Sequence, residues 1–221
     1  MKNNLSVRAF VLSTLFAIFA CSICAGGNIS RAKTAELKVK SVKINGYVGG
    51  RIDDCISHRV MEQDVDALVE PFRHRNETWR WQSEFWGKWT LGAIETYRYT
   101  GDAALYEKIA ASVGQIIGTQ SPDGYIGNYA PEAQLKDWDI WGRKYTMLGL
   151  LAWYELSGDT HALAAASRVA DHLISQLKSK NVKIVKCGLY RGMASSSVLE
   201  PVMKLYNISG DKRYLDFATD I

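Results

Sequence analysis

Residues Thr78 to Trp89 read TWRWQSEFWGKW. Four indoles, the carboxylate of Glu84 and the ammonium of Lys88 fall in this stretch. Trp is large, carries a polar N–H and is rarely buried whole. A second cluster, DWDIWGRKY, occupies 137–145. Flat rings beside carboxylates and cations suit a sugar, stacking on its apolar face and holding its hydroxyls. The same rings have a plainer use as anchors between helices.

Nine residues carry the candidate binding chemistry, and a tenth, Asp137, competes with Asp139 for one role. Glu84 stands just ahead of an apolar helix, where a carboxylate is favoured by the helix dipole, and in a pocket it would accept from hydroxyls. Trp86 and Trp141 are stacking platforms or core anchors. Lys88 would hold hydroxyls or pair with Glu84 at i,i+4. Tyr125 belongs to SPDGYIG, first of all a turn signal and then a rim for a ligand. Asp137 and Asp139 flank Trp138; one of them should cap the following helix and the other face the cavity. Arg143 and Lys144 lie on the opening turns of that helix. A cation gains nothing from the dipole there, so Arg143 calls for a ligand or a carboxylate partner. Glu200 sits in the otherwise apolar run SVLEPVMKLY, where a buried carboxylate would need a partner; its alternative is a solvent-facing charge paired with Lys204.

These groups must be positioned by helices. Tyr97-Arg-Tyr-Thr-Gly101-Asp102 recurs as Tyr154-Glu-Leu-Ser-Gly158-Asp159 and as Tyr206-Asn-Ile-Ser-Gly210-Asp211. Gly closes one helix by taking positive φ, and Asp caps the next by accepting from its orphan N–H groups. Each repeat therefore predicts an antiparallel helix pair with a very short connection. Apolar residues after each Asp recur at helical spacing: Leu105, Ile109, Val113 and Ile117; Leu163, Ala166, Ala170, Leu173 and Leu177; Tyr214, Leu215 and Ala218. The helices before the turns are apolar almost all round, so they should be the more buried set. The spacing predicts an all-α fold, a partial (α/α)6 toroid with inner helices at about 84–99, 139–156 and 194–208. Outer helices would run over about 103–118, 160–178 and from 212. Pro201 should kink the third inner helix or mark its first turn. Both aromatic clusters fall at inner-helix starts, around the mouth of such a ring. The ring would stop at about half its circuit, which points to a piece of a larger protein or to a naturally shortened one.

The rest of the chain sets limits. It has 221 residues, 47% of them apolar, with a formal charge of +4. Lys2 and Arg8 precede an uncharged run from Ala9 to Gly27, so residues 1–26 read as a signal peptide for export to the periplasm or exterior. Cys21, in Ile18-Phe19-Ala20-Cys21, resembles a lipidation site, which would tether the chain to a membrane. Residues 27–45 read as a linker and short strand, with GYVGG at 46–50 as a turn and a helix over about 54–72. Without Lys2 and Arg8 the charge falls to +2, so nothing points to a nucleic-acid partner. Cys55 and Cys187, the cysteines left, could pair but form no disulfide scaffold. No metal set and no glycine-rich nucleotide motif stands out.

SEFWGKWTLGAIETYRYTGD, QSPDGYIGNY, WDIWGRKYTMLGLLAWYELSGD and GMASSSVLEPVMKLYNISGDKRYLDFA together resemble secreted glycoside hydrolases of the β-L-arabinofuranosidase kind, family 127. The resemblance covers roughly residues 46–221. It implies an (α/α)6 catalytic barrel that removes terminal arabinofuranosyl units from plant glycans. It also implies a zinc site, a nucleophilic Cys and an acid/base Glu in motifs that lie past Ile221, so no catalytic residue is assigned and this chain alone should be inactive. The remaining half of the barrel would be its partner. The family's frequent His is missing from EFWGKW and IWGRKY, which points to another subfamily. Three alternatives stand beside this reading: an unsaturated-uronide hydrolase on the same scaffold, a non-catalytic glycan-binding protein, and a helical-repeat interaction protein.

Overall fold

The structure, a computed structural model, describes residues 42–221. The expected signal peptide, Cys21 and most of the expected strand lie outside the described residues. Residues 42–45 are irregular rather than strand.

Helix α1 spans Gly46–Cys55 and continues as a π-helical stretch over Ile56–Met61. Helix α2 follows at Val65–His74. The sequence predicted a turn at 46–50 and one helix over 54–72, and both expectations need correction. Gly46 to Gly50 already lie in α1, and the chain breaks before α2 because the Asp64 carboxylate accepts from the Ala67 N–H and starts a new helix. Pro71 is carried inside α2, three residues before its end.

The three predicted corners form as expected. Helices α3 (Ser83–Thr100) and α4 (Ala103–Gly118) flank the first, α5 (Asp139–Ser157) and α6 (Thr160–Ser179) the second. A one-turn helix α7 (Met193–Ser196) leads to α8 (Leu199–Ser209), and α9 (Lys212–Asp220) follows the third corner. Gly101, Gly158 and Gly210 take φ of 66°, 76° and 70°. Their N–H groups reach back to the carbonyls of Tyr97, Tyr154 and Tyr206 at 2.7–2.8 Å. Asp102, Asp159 and Asp211 cap the next helices. A third element completes each corner: the hydroxyls of Thr100, Ser157 and Ser209 accept from the N–H of the capping Asp at 3.1–3.2 Å. Pro201 sits in the first turn of α8, where its missing N–H costs nothing.

Helices α3 and α5 pack against each other most closely, and glycines permit it. A methyl at Gly87 would collide with the Tyr145 carbonyl, and one at Gly142 with Ser83 Oγ. A methyl at Gly149 would come 2.8 Å from the Trp86 ring. These pairs advance together along both helices, so α3 and α5 run parallel, with their first turns side by side. Helices α4 and α6 turn Leu105, Ile109, Val113 and Ile116, and Ala166, Val169, Ala170 and Leu173, onto the same core. The result is an all-α, helix-paired fold in the manner of part of an α/α toroid. Among the described residues the one β feature is an isolated bridge between Glu77 and Tyr129. No described helix is long and apolar enough to cross a membrane.

Candidate functional site at the first turns of α3 and α5

Parallel packing of α3 and α5 joins the two aromatic clusters at one end of the fold. Glu84, in the first turn of α3, accepts from Trp141 Nε1 on α5 and from Lys88 Nζ at 2.7 Å. Lys144 lies over the rings of Trp141 and Tyr145, at 4.8 and 5.0 Å from their centroids. Lys88 lies 5.0 Å from the Tyr145 centroid. Glu200 of α8 reaches Lys144 at 3.8 Å. It is more than half exposed and pairs across helices rather than with Lys204. Five of the nine sequence-predicted residues (Glu84, Lys88, Trp141, Lys144 and Glu200) therefore meet in one patch, in which Glu84 is itself buried and the Lys144 side chain mostly covered. Cations over ring faces and a carboxylate holding an indole edge fix those rings at modest cost in solvent exposure.

The other four lie beneath it, and their expected contact with a ligand needs correction. Trp86 is fully buried, donating its indole N–H to Ser112 Oγ at 2.8 Å, and is a core anchor. Tyr125, Asp139 and Arg143 are all at most 1% exposed and form one buried network. Asp139 accepts from Tyr125 Oη at 2.7 Å, the Leu135 N–H at 2.8 Å and Arg143 Nη2 at 2.5 Å. It therefore ties down the preceding loop instead of capping α5. Arg143 also donates to Gln176 Oε1 at 2.9 Å and faces His172 Nδ1 at 3.1 Å. Its guanidinium stacks 4.6 Å from the Tyr125 ring. The carboxylate partner that a helix-start arginine calls for is thus Asp139, one turn away. Burial pushes the Tyr125 phenol well above its usual range, so it stays a donor. Asp123, exposed at the loop, faces His172 Nε2 at 3.3 Å. Burial raises the Asp123 pKa, but hydrogen bonds from Ser121 and the Tyr125 N–H, with the charges of His172 and Arg75, bring it below the usual value.

Sequence reading did not single out Trp138, Tyr129 or Tyr190, and the structure brings them together. Trp138 lies 5.8 Å from Trp141, 6.1 Å from Trp81 and 5.8 Å from Tyr190, each pair edge-on. Tyr129 is buried, with its hydroxyl accepting from the Trp138 N–H at 3.1 Å and donating to the Arg80 carbonyl at 2.8 Å. Trp138 stood inside a quoted cluster. The role of Tyr190 had no local signal, because it arrives from a loop about fifty residues away.

Two clefts of about 380 and 570 Å³ open elsewhere, beside α2, and neither is lined by a predicted site residue. Among the described residues no three His, Cys, Asp or Glu side chains come together to hold a metal ion. Cys55 is exposed, Cys187 is buried, and the two are not bonded. Burial raises the Cys187 thiol, against a lesser pull from Arg143.

No curated protein matches the chain. Among solved structures it is similar to a GH127 β-L-arabinofuranosidase from Geobacillus stearothermophilus T6, with a TM-score of 0.52 and 17% identity over 77% of this chain and 28% of that one. It is also similar to the GH127 β-arabinofuranosidase BT3674, with a TM-score of 0.57 and 18% identity over 83% of this chain and 32% of that one. The chain thus spans about a third or less of either relative's length. At such identities the likeness establishes the fold. Residues 29–221 match the β-L-arabinofuranosidase GH127 catalytic domain, and the chain belongs to that family.

Proposed function

We propose that this chain supplies one wall of the sugar pocket of a secreted glycoside hydrolase acting on terminal arabinofuranosyl or related units of plant glycans. One observation carries the reading. Glu84, Lys88, Trp141, Lys144 and Tyr145, from the first turns of two parallel helices, form a single ring-and-charge surface. Trp141 and Tyr145 would stack on the sugar, while Lys88, Lys144 and Glu200 would take its hydroxyls. Tyr125, Asp139 and Arg143 act from below, holding the start of α5 in place. The uronide alternative loses one of its two basic residues, because Arg143 is spent on Asp139.

The chain alone is expected to bind without hydrolysing. Retaining hydrolysis needs a nucleophile and an acid/base group on either side of the bond. Among the described residues, Glu84 is engaged by Trp141 and Lys88, Asp139 is buried on Arg143, and the Cys187 thiol is covered. Among the described residues no His, Cys, Asp and Glu side chains cluster as the zinc implied by the family resemblance would need, and no step is derived through it.

The test is a tryptophan-fluorescence titration of the purified chain with L-arabinose, alongside an assay on an aryl β-L-arabinofuranoside. Saturable binding that Trp141→Ala and Lys144→Ala abolish, with no hydrolysis, is expected. A flat titration, or one indifferent to both substitutions, overturns the pocket. Turnover by the chain itself overturns the claim that it lacks the catalytic groups. A mature N-terminus beginning near residue 27 is the corresponding expectation for export.

A further inference from the structure

The rings of Trp81, Trp138 and Tyr190 are not used by the surface just described. Trp81 is 44% and Tyr190 66% exposed, large areas for apolar rings beside a well-filled core. Trp138 lies at the centre, with Trp81 at 68° and Tyr190 at 67° to its plane. In an edge-on pair one ring sets its edge against the other's face, so each pair leaves the faces of one ring free of the other, as a parallel stack would not. Hydrogen-bonding capacity is left over too. The indoles of Trp86, Trp89, Trp141 and Trp153 each donate to a protein acceptor. Among the described residues none accepts from the indole of Trp81 or Trp138. Charge separates this surface from its neighbour. The cations that sit over rings nearby choose Trp79, Trp141 and Tyr145, not these three.

The arrangement is also held deliberately by the backbone. One phenol, that of Tyr129, joins the Trp138 N–H to the carbonyl of Arg80, and so fixes Trp81 against Trp138. The Gly188 N–H bonds the Leu135 carbonyl at 3.1 Å, tying the segment that carries Tyr190 to the one that carries Trp138. Left-handed conformations in non-glycine residues are costly. Four of the six among the described residues fall in these two segments: Leu135, Asp137, Tyr190 and Arg191.

We propose that Trp81, Trp138 and Tyr190 form a second sugar-binding surface, which takes a neutral inner ring of an oligosaccharide whose terminal unit occupies the Glu84–Trp141–Lys144 surface. The proposal rests on the reading of that first surface as a sugar site. The 5.8 Å contact between Trp138 and Trp141 makes the two surfaces continuous. Tyr129 is the positioning residue of the second one.

The experiment is calorimetric titration of the full chain, wild type, Trp81→Ala and Tyr190→Ala, with L-arabinose and with a neutral arabinofuranosyl trisaccharide. Both substituted residues are exposed, so the fold should survive. Wild type should bind the trisaccharide more tightly than the monosaccharide. Each substitution should weaken the trisaccharide by about tenfold, the effect of one good aromatic contact, while arabinose stays within about twofold. Tyr129→Phe should weaken the trisaccharide in the same selective way. A trisaccharide that gains nothing over arabinose, or that ignores both alanine variants, overturns the second surface alone. Wild type that binds neither ligand overturns both surfaces together. If Tyr190→Ala changes only self-association in sedimentation and leaves trisaccharide affinity intact, the rings are a protein contact and the proposal fails.

Discussion

Replacing Arg143 by Met should destabilise the protein far more than a helix-start substitution ordinarily does. Both charged side chains of the Arg143–Asp139 pair are completely shielded from solvent. Removing one partner of a buried pair leaves the other charge uncompensated, at a cost of about 3–5 kcal/mol. Asp139 would keep its bonds from Tyr125 Oη and the Leu135 N–H, which places the expected loss near the lower end, about 3 kcal/mol. For a domain of this size that corresponds to roughly 6–12 °C in Tm. Urea unfolding followed by tryptophan fluorescence at pH 7, with a thermal melt by circular dichroism, measures both. Asp139→Leu and the double variant complete a cycle, and coupling of about 2 kcal/mol or more is expected because the two side chains share one network. A loss below about 1 kcal/mol for Arg143→Met, or strict additivity in the cycle, would refute the claim that this pair anchors the start of α5.

Further expectations concern backbone, caps and protonation. Gly87→Ala should cost at least about 1–3 kcal/mol by forcing α3 off the Tyr145 carbonyl, whereas Gly92→Ala meets nothing within 4 Å and should gain about 0.5–1 kcal/mol, both read by urea midpoint. Among the corner caps, Asp102→Ala and Asp211→Ala should each cost about 1 kcal/mol, and Asp159→Ala more, since Asp159 also accepts from Trp153 Nε1 at 3.2 Å. His172 is held below its ordinary value by burial first and by Arg143 second, against the pull of Asp123 and Asp139. A depressed histidine favours folding while neutral. Its contribution is complete above about pH 6.5 and is lost as the pH falls from there through the folded pKa. The urea midpoint should therefore drop on acidification below that point, and His172→Gln should flatten the drop; an identical slope in the variant would rule the histidine out.

The corners were readable because their chemistry is local. A left-handed glycine followed by a capping aspartate needs only four or five neighbours, so α3 to α6 appear within a residue or two of their expected bounds. The region before Val65 was misread because its glycines look like a turn. The contact that fits a glycine there is local: a Cβ at Gly49 would collide with the Ile44 carbonyl just ahead of the helix. Site residues were legible in type but not in depth. Glu84 and Trp86 are two positions apart, yet one faces the rim and the other the core, and an all-round apolar helix gives no signal of which way each turns. Arg143 was rightly judged to want a partner. Its distance from solvent depended on His172 and Gln176 of α6, which no local pattern could supply.

Apart from the Trp153 indole bond to Asp159, which spans six residues, the hydrogen bonds that build the three Gly–Asp corners join residues no more than four apart along the chain. The direction in which each helix doubles back is thus decided before any distant surface is available to guide it. A polypeptide emerging a few residues at a time, whether from a ribosome or from a translocation channel, can form each hairpin in turn. What remains for later is only the docking of finished brackets, so construction can proceed from the N-terminal side without waiting for the last bracket to arrive.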